Sequence, residues 1–289
     1  MLRDMAVKKS FPFFIFFLFA NMIFSQRVVS MAPALTEIIF ALGKGNALVG
    51  VTKFCDYPLL AKKIAKVGGF LDVNMEALLS LAPEIVITYP EQYAKVKFLE
   101  SKALVLVVKH QRLSDLFDSI FAIGNALHAE INAKNMVFTL QNKLAAIANS
   151  VGHRNKIRTL IIAGRNADEL KNMYIIGKND FLNELLEIAG GVNAYQGAVN
   201  YPNIAMEAVI FLNPDFILEI SAHYEGISDE KIIKLWSPFK MLLAVQNRQI
   251  KMIKKSFWLR PGPRVGLIAE ELAGIFSPAE NSKPSVNTD

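Results

Sequence analysis

Residues 113–151 read LSDLFDSIFAIGNALHAEINAKNMVFTLQNKLAAIANSV, with no proline and one internal glycine, Gly124. Leu113, Leu116, Phe117, Ile120 and Ile123 recur at helical spacing, as do Ile131, Val137, Leu140, Leu144 and Ile147. The spacing predicts helix throughout, broken near His128, whose flanks Leu127 and Ala129 carry no cap signal. Such a run is longer than the roughly three turns usual inside a globular domain. It also sits mid-chain between two copies of one message. Residues 75–87 read MEALLSLAPEIVI and residues 206–218 read MEAVIFLNPDFIL. Each copy is a helix, a proline stop and an apolar strand. Two related lobes around a helical strut are therefore expected.

Outward from the strut, short apolar strands alternate with helices on both sides. On the N-terminal side strands are expected at residues 27–30, 47–51, 85–88 and 104–108. On the C-terminal side they are expected at 159–163, 174–176, 216–220 and 250–253. Parallel neighbours need a crossover, so this alternation predicts α/β lobes with mostly parallel sheets. The expected domains are an N-terminal lobe at 26–112, a linking helical segment at 113–155 and a C-terminal lobe at 156–276. A polar tail follows at 277–289. Residues 1–25 read as a signal peptide: Arg3, Lys8 and Lys9, then an apolar run from Phe11 to Phe19, then small residues Ala20 and Ser25. That apolar run is shorter than the roughly 20 residues a membrane span needs. No cysteine follows it to carry a lipid. The expectation is a protein exported to the periplasm, with an uncleaved anchor as the alternative.

The chain has 289 residues, 52% hydrophobic and 20% charged, enough to bury a sizeable core. Its net charge of +6 is mild, and no basic stripe interleaved with aromatics appears, so nucleic acid is not an expected partner. The single cysteine, Cys55, excludes an internal disulfide and any multi-cysteine metal site. No G-x-S-x-G elbow, phosphate-binding G-x-x-x-x-G-K-[ST] loop or strand-linked G-x-G-x-x-G occurs. No catalytic residue, resident cofactor or metal site is assigned, and a binding protein is expected rather than an enzyme. In a two-lobed protein the ligand binds between lobes, on loops that follow strand ends. Those points hold Phe54, Phe70, Tyr89, Tyr201 and Trp258, with plain lobe core as the alternative for each. Arg165, Arg260 and Arg264 are candidates to pair with carboxylate, amide or phosphate groups of a ligand, Arg264 alternatively closing a salt bridge of its own lobe. Of four histidines, His110 and His223 follow strand-like runs, whereas His128 and His153 read as surface residues. Glu76 and Glu207 fall in the first turn of the two repeated helices, where an acidic side chain suits the helix dipole. Their recurrence once per lobe suggests a further use, as two acidic knobs for a two-fold partner.

The pieces VVSMAPALTE (28–37), VGVTKFCDYP (49–58), KVGGF (66–70), FLNELLEIAGG (181–191) and RPGPR (260–264), with both repeat copies, occur in a telling order. Taken together, the chain resembles the substrate-binding proteins of ABC importers for cobalamin, haem and ferric siderophores, nearest the cobalamin-binding type. The resemblance implies a monomeric receptor that captures a corrinoid or iron chelate and hands it to a dimeric ABC permease in the inner membrane. Several of the five aromatics resemble positions that line the cleft of that type, and the expected ligand contacts are Phe54, Phe70, Tyr89, Arg165, Tyr201, Trp258 and Arg260. The resemblance also implies permease docking through Glu76 and Glu207. An extracytoplasmic sensor of the same fold is the other reading.

Overall fold

The computed structural model describes residues 26–152, 155–220 and 228–277. The expected signal peptide, nearly all of the tail, His153 and His223 lie outside the described residues.

The first lobe runs β1 (Val28–Ser30), α1 (Pro33–Ala41), β2 (Leu48–Val51), β3 (Ala65–Lys66), α2 (Met75–Ser80), β4 (Ile85–Thr88), α3 (Pro90–Val96) and β5 (Leu104–Val107). Its sheet has the order β3-β2-β1-β4-β5 and is parallel throughout. Two helices follow, α4 (Leu113–Ala126) and α5 (Glu130–Val151). The second lobe continues with β6 (Ile157–Gly164), β7 (Met173–Ile175), α6 (Phe181–Ile188), β8 (Gly191–Asn193), β9 (Asn203–Ile204), α7 (Met206–Leu212) and β10 (Phe216–Ile220). It ends with α8 (Asp229–Trp236), α9 (Leu243–Gln246), β11 (Ile250–Ile253) and α10 (Val265–Ile275). Its sheet has the order β11-β10-β6-β7-β9, with β8 beside the start of β6. Here β7 runs antiparallel to both β6 and β9.

The run at 113–151 is two helices rather than one strut. The chain turns at His128, which takes a left-handed φ of 52°, and α5 then packs along α4. Gly124 makes that packing feasible, because a Cβ there would stand 2.5 Å from the Cβ of Ala133. The spanning element is therefore α5 alone. At its start Asn132 Nδ2 donates to the Leu42 carbonyl at the end of α1 (2.9 Å). Further along, Lys143 pairs with Glu270 of α10 (2.7 Å), and Val151 at its end lies against Gly190 of the second lobe. Twenty-two residues at a rise of 1.5 Å give a rod of roughly 33 Å.

Strand alternation sorts the core into three parts. In β10, Phe216, Leu218 and Ile220 face a core shared by both lobes, whereas Ile217 faces one private to the second lobe. In β1, Val28 joins the shared core and Val29 a private core of the first lobe. This is the two-residue period of a strand buried on both faces, which is why these strands read as unbroken apolar runs. The shared core gathers Leu35 of α1, Ile120 of α4, Leu140 of α5, Leu185 of α6 and Ile268 of α10.

The internal repeat extends to atomic detail. Arg27 donates to the carbonyls of Leu81 (2.6 Å) and Ala82 (3.3 Å), and its backbone N–H to Glu84 (3.3 Å), at separations of 54, 55 and 57 residues. Arg158 donates to the carbonyls of Leu212 (2.8 Å) and Asn213 (3.3 Å), and its N–H to Asp215 (3.2 Å), at the same three separations. Ala82 and Asn213 share a left-handed φ, 40° and 39°. In both lobes an arginine at the start of a central strand satisfies the open carbonyls at a helix C-terminus. Glu76 and Glu207 hold matching places at the other ends of those two helices. Both are exposed, and neither has an ion-pair partner among the described residues.

Candidate ligand-binding cleft

The two lobes meet where loops leave the C-terminal ends of the first lobe's strands. The Phe181 N–H donates to the Gln111 carbonyl (2.7 Å), and Arg112 pairs with Glu184 (2.8 Å). Beside this seam the first lobe presents Phe70, Tyr89 and His110 as a row of rings. Tyr89 lies 6.4 Å from Phe70 and 4.0 Å from His110, centroid to centroid. Buried Gln92 holds the row to the sheet, donating to the carbonyls of Met31 (2.8 Å) and Phe70 (2.9 Å). Gly68, at a φ of 96°, makes the turn that brings Phe70 round, a conformation glycine adopts without strain. Burial raises the Tyr89 hydroxyl pKa, so it stays a neutral phenol. Outside it, His110 Nε2 lies 3.3 Å from a Glu91 carboxylate oxygen.

The second lobe presents Tyr201 and Asp180. Asp180 caps α6, one carboxylate oxygen accepting from the Leu182 N–H (2.8 Å). Its other oxygen accepts a short hydrogen bond from the Tyr201 hydroxyl. Gly177 allows this meeting: its N–H donates to the Asn200 carbonyl (2.7 Å), and a Cβ there would stand 2.2 Å from the Val199 carbonyl oxygen. The walls face each other, since His110 acts electrostatically on Asp180 and Glu91 on Tyr201.

Burial pushes the Asp180 carboxyl up to about 6, against the opposing pull of the Tyr201 hydroxyl and the Leu182 N–H. The folded protein therefore holds this proton more tightly than the unfolded chain does. The group's stabilising contribution is complete below pH 4 and is lost as pH rises to 6. Asp180→Asn keeps the cap and removes the buried charge. The variant is expected to gain on wild type by on the order of 2 kcal/mol between pH 4 and pH 7. Denaturant unfolding of both proteins across that range measures it; a pH-independent difference rules the effect out.

The floor of the cleft joins the lobes through charge. Arg264 donates twice to Glu37 on α1 (2.7 and 2.5 Å), with its guanidinium between the rings of Tyr57 (4.4 Å) and Phe257 (4.3 Å). Arg260 pairs with Asp56 at 2.5 Å and lies 3.5 Å from Glu37. Of the two readings of Arg264, the structure shows the salt bridge, here between lobes. Cys55 is buried, with the hydroxyls of Thr36 and Thr52 each 3.2 Å from its sulfur.

Five of the seven expected ligand contacts keep at least part of their expected setting. Phe54 and Tyr201 are about half exposed (48% and 47%), while Phe70, Tyr89 and Arg260 are more enclosed. The other two are corrected. Trp258 is fully buried in the shared core, its indole N–H donating to Glu271 (3.1 Å). It follows strand β11, but the 3-10 turn at Ser256–Leu259 swings it inward. The Arg165 side chain is also fully buried, on Glu219 at 2.8 Å and on the Asn166 carbonyl at 2.7 Å. It holds its own loop instead of reaching the cleft. Asp56, Glu37 and Asp180 were not assigned from the sequence. Only Asp180 left a local signal there, as an acidic residue opening a helix. Among the described residues no group of three or more His, Cys, Asp or Glu side chains is placed to hold a metal ion. No helix among them is long and apolar enough to cross a membrane.

Comparison with known proteins agrees with this architecture. The periplasmic binding protein family model matches residues 28–256. The chain is 29% identical to the uncharacterized ABC transporter substrate-binding lipoprotein YvrC of Bacillus subtilis, over 88% of this chain and 80% of that protein. It is 24% identical to the vitamin B12-binding protein of Vibrio vulnificus, over 89% of this chain and 92% of that one. Among solved structures it resembles the periplasmic heme-binding protein RhuT from Roseiflexus sp. RS-1 in apo form. That match has a TM-score of 0.75 and 25% identity, over 89% of this chain and 99% of the other. Two α/β lobes on one spanning helix, with the described site in the seam between them, are thus the frame of a known group, and the chain belongs to the periplasmic binding protein family.

Proposed function

We propose that this protein is the extracytoplasmic substrate-binding component of an ABC importer and that its cargo is a corrinoid. Residues 1–25 act as its export signal, and it works in the periplasm as a monomer. One observation carries the cargo reading: the row Phe70–Tyr89–His110 on one lobe is opposed by Tyr201 on the other. A broad macrocycle needs apolar faces to lie on, and aromatic rings supply that area at low entropic cost. Phe54 and Arg260 complete the contact set. Glu76 and Glu207, one per lobe and without an ion-pair partner among the described residues, are the knobs that meet basic side chains of the permease. The half-buried His110 imidazole supports a second reading, haem, since an imidazole can ligate iron.

Titration of the purified protein with cobalamin, haemin and ferric chelates tests the cargo. A corrinoid absorption shift that saturates at one equivalent is the expected result. A Soret shift with no response to cobalamin would replace corrinoid by haem, and silence toward all three classes would end the proposal.

A further inference from the structure

The arginines at the seam and in its loops share one feature: each carries a carboxylate. Arg112 is on Glu184, Arg165 on Glu219, Arg264 on Glu37 and Arg260 on Asp56. The last pair differs from the others in its accessibility. Glu37 is sealed beneath the floor with 3% of its side chain exposed, a permanent counter-ion for Arg264. Asp56 is 47% exposed and Arg260 14% exposed. Asp56 takes both terminal nitrogens of Arg260, Nη1 at 2.5 Å and Nη2 at 3.4 Å. Burial raises the Asp56 carboxyl, but the hydrogen bond and charge of Arg260 outweigh it and hold the group ionised, below its ordinary range. The floor thus sets two guanidiniums against two carboxylates.

We propose that Asp56 is a specificity-determining residue: by occupying Arg260 it denies that cation to anionic cargo and leaves a neutral floor suited to cargo fringed with amides. This rests on the receptor reading above and refines its cargo class. A ligand carboxylate reaching Arg260 must displace Asp56 or sit beside it as a like charge. An amide does neither, since its N–H donates to the free lone pairs of Asp56 while Arg260 stays paired. Built-in repulsion of this sort discriminates between ligands that share one ring system.

The test compares wild type, Asp56→Asn, Asp56→Ser and the double variant D56N/R260Q as purified full-length proteins. Each is titrated with haemin, with haemin dimethyl ester, which has the same ring with its carboxylates masked, and with cyanocobalamin. D56N and D56S are expected to bind haemin at least about tenfold more tightly than wild type. Affinity for the diester is expected to stay within about threefold, less than the tenfold worth one 1.4 kcal/mol step, while cyanocobalamin, whose amides donate to Asp56, is expected to bind the variants more weakly than wild type. Removing Arg260 as well is expected to cancel the haemin gain. An unchanged haemin affinity, or an equal gain for haemin and its diester, overturns the role of Asp56. Failure of every protein to bind cyanocobalamin would instead sink the corrinoid reading, leaving the haemin–diester comparison to decide on Asp56.

Discussion

Replacing Glu76 and Glu207 together with lysine should abolish uptake in cells that depend on this receptor, while leaving cargo affinity and folding in place. Both carboxylates are exposed, without an ion-pair partner among the described residues, and in the first turn of matched helices. Losing the favourable helix-dipole interaction costs about 0.3–1 kcal/mol at each site, too little to unfold the protein. If these residues dock as proposed, the same change puts two cations against basic side chains of the permease. Like-charge juxtaposition costs several kcal/mol. At 1.4 kcal/mol per factor of ten, the complex weakens by about a hundredfold or more. Each single variant should fall in between. An apolar groove of about 910 Å³, lined in part by Met206, Ile210, Leu235 and Phe239, lies beside Glu207, so the knob is flanked by surface that can be covered. Uptake assays with cargo titrations on the same proteins decide the matter. Normal uptake by the double variant removes docking from these residues and leaves them as helix-end charges.

The second large effect concerns Glu219, the buried acid inside the second lobe. Its Oε2 accepts from Arg165 Nε (3.0 Å) and forms an ion pair with Nη2 at 2.8 Å, and its Oε1 accepts from the Trp236 indole N–H (2.5 Å). Glu219→Leu should destabilise the protein by about 3–5 kcal/mol, because it strips a buried guanidinium of its carboxylate. It also removes the acceptor of a fully buried indole. Arg165→Leu combined with Glu219→Leu should recover part of that loss, since an apolar pair of similar volume avoids the desolvation cost. Denaturant unfolding measures both. A single variant within 1 kcal/mol of wild type, on the order of one ordinary net hydrogen bond, would show that the pair adds little to stability.

The legibility of this chain follows from the range of each interaction. Strands β1, β2, β4, β6 and β10 were readable because burial on both faces demands unbroken apolar runs, and the edge strands β5 and β11 were readable from their apolar residues although they are partly exposed. The cap of α2 was readable at Asn74, whose side chain accepts from the Ala77 N–H (2.9 Å). Helix α3, opened by Pro90, and strands β8 and β9 were not predicted, because three residues or fewer in each strand leave no period to detect. Strand β7 was expected at 174–176, but its antiparallel direction was not, since direction is decided by where the chain returns. At the candidate site, Phe54, Phe70, Tyr89 and Tyr201 were expected from their places after strand ends. Trp258 obeyed the same rule and was misplaced, because a single 3-10 turn reverses which way an aromatic points.

By itself the sequence determined two α/β lobes, a helical region between them and a matched glutamate in each, because these are local patterns repeated at one spacing. Only the tertiary structure decided that α4 folds back and α5 alone spans the lobes, since a break expected near His128 does not say in which direction the chain continues. It alone paired Arg260 with Asp56, 204 residues away, and Arg264 with Glu37, 227 residues away. Charge partners at such distances are chosen by how the lobes pack, and no local propensity encodes that choice.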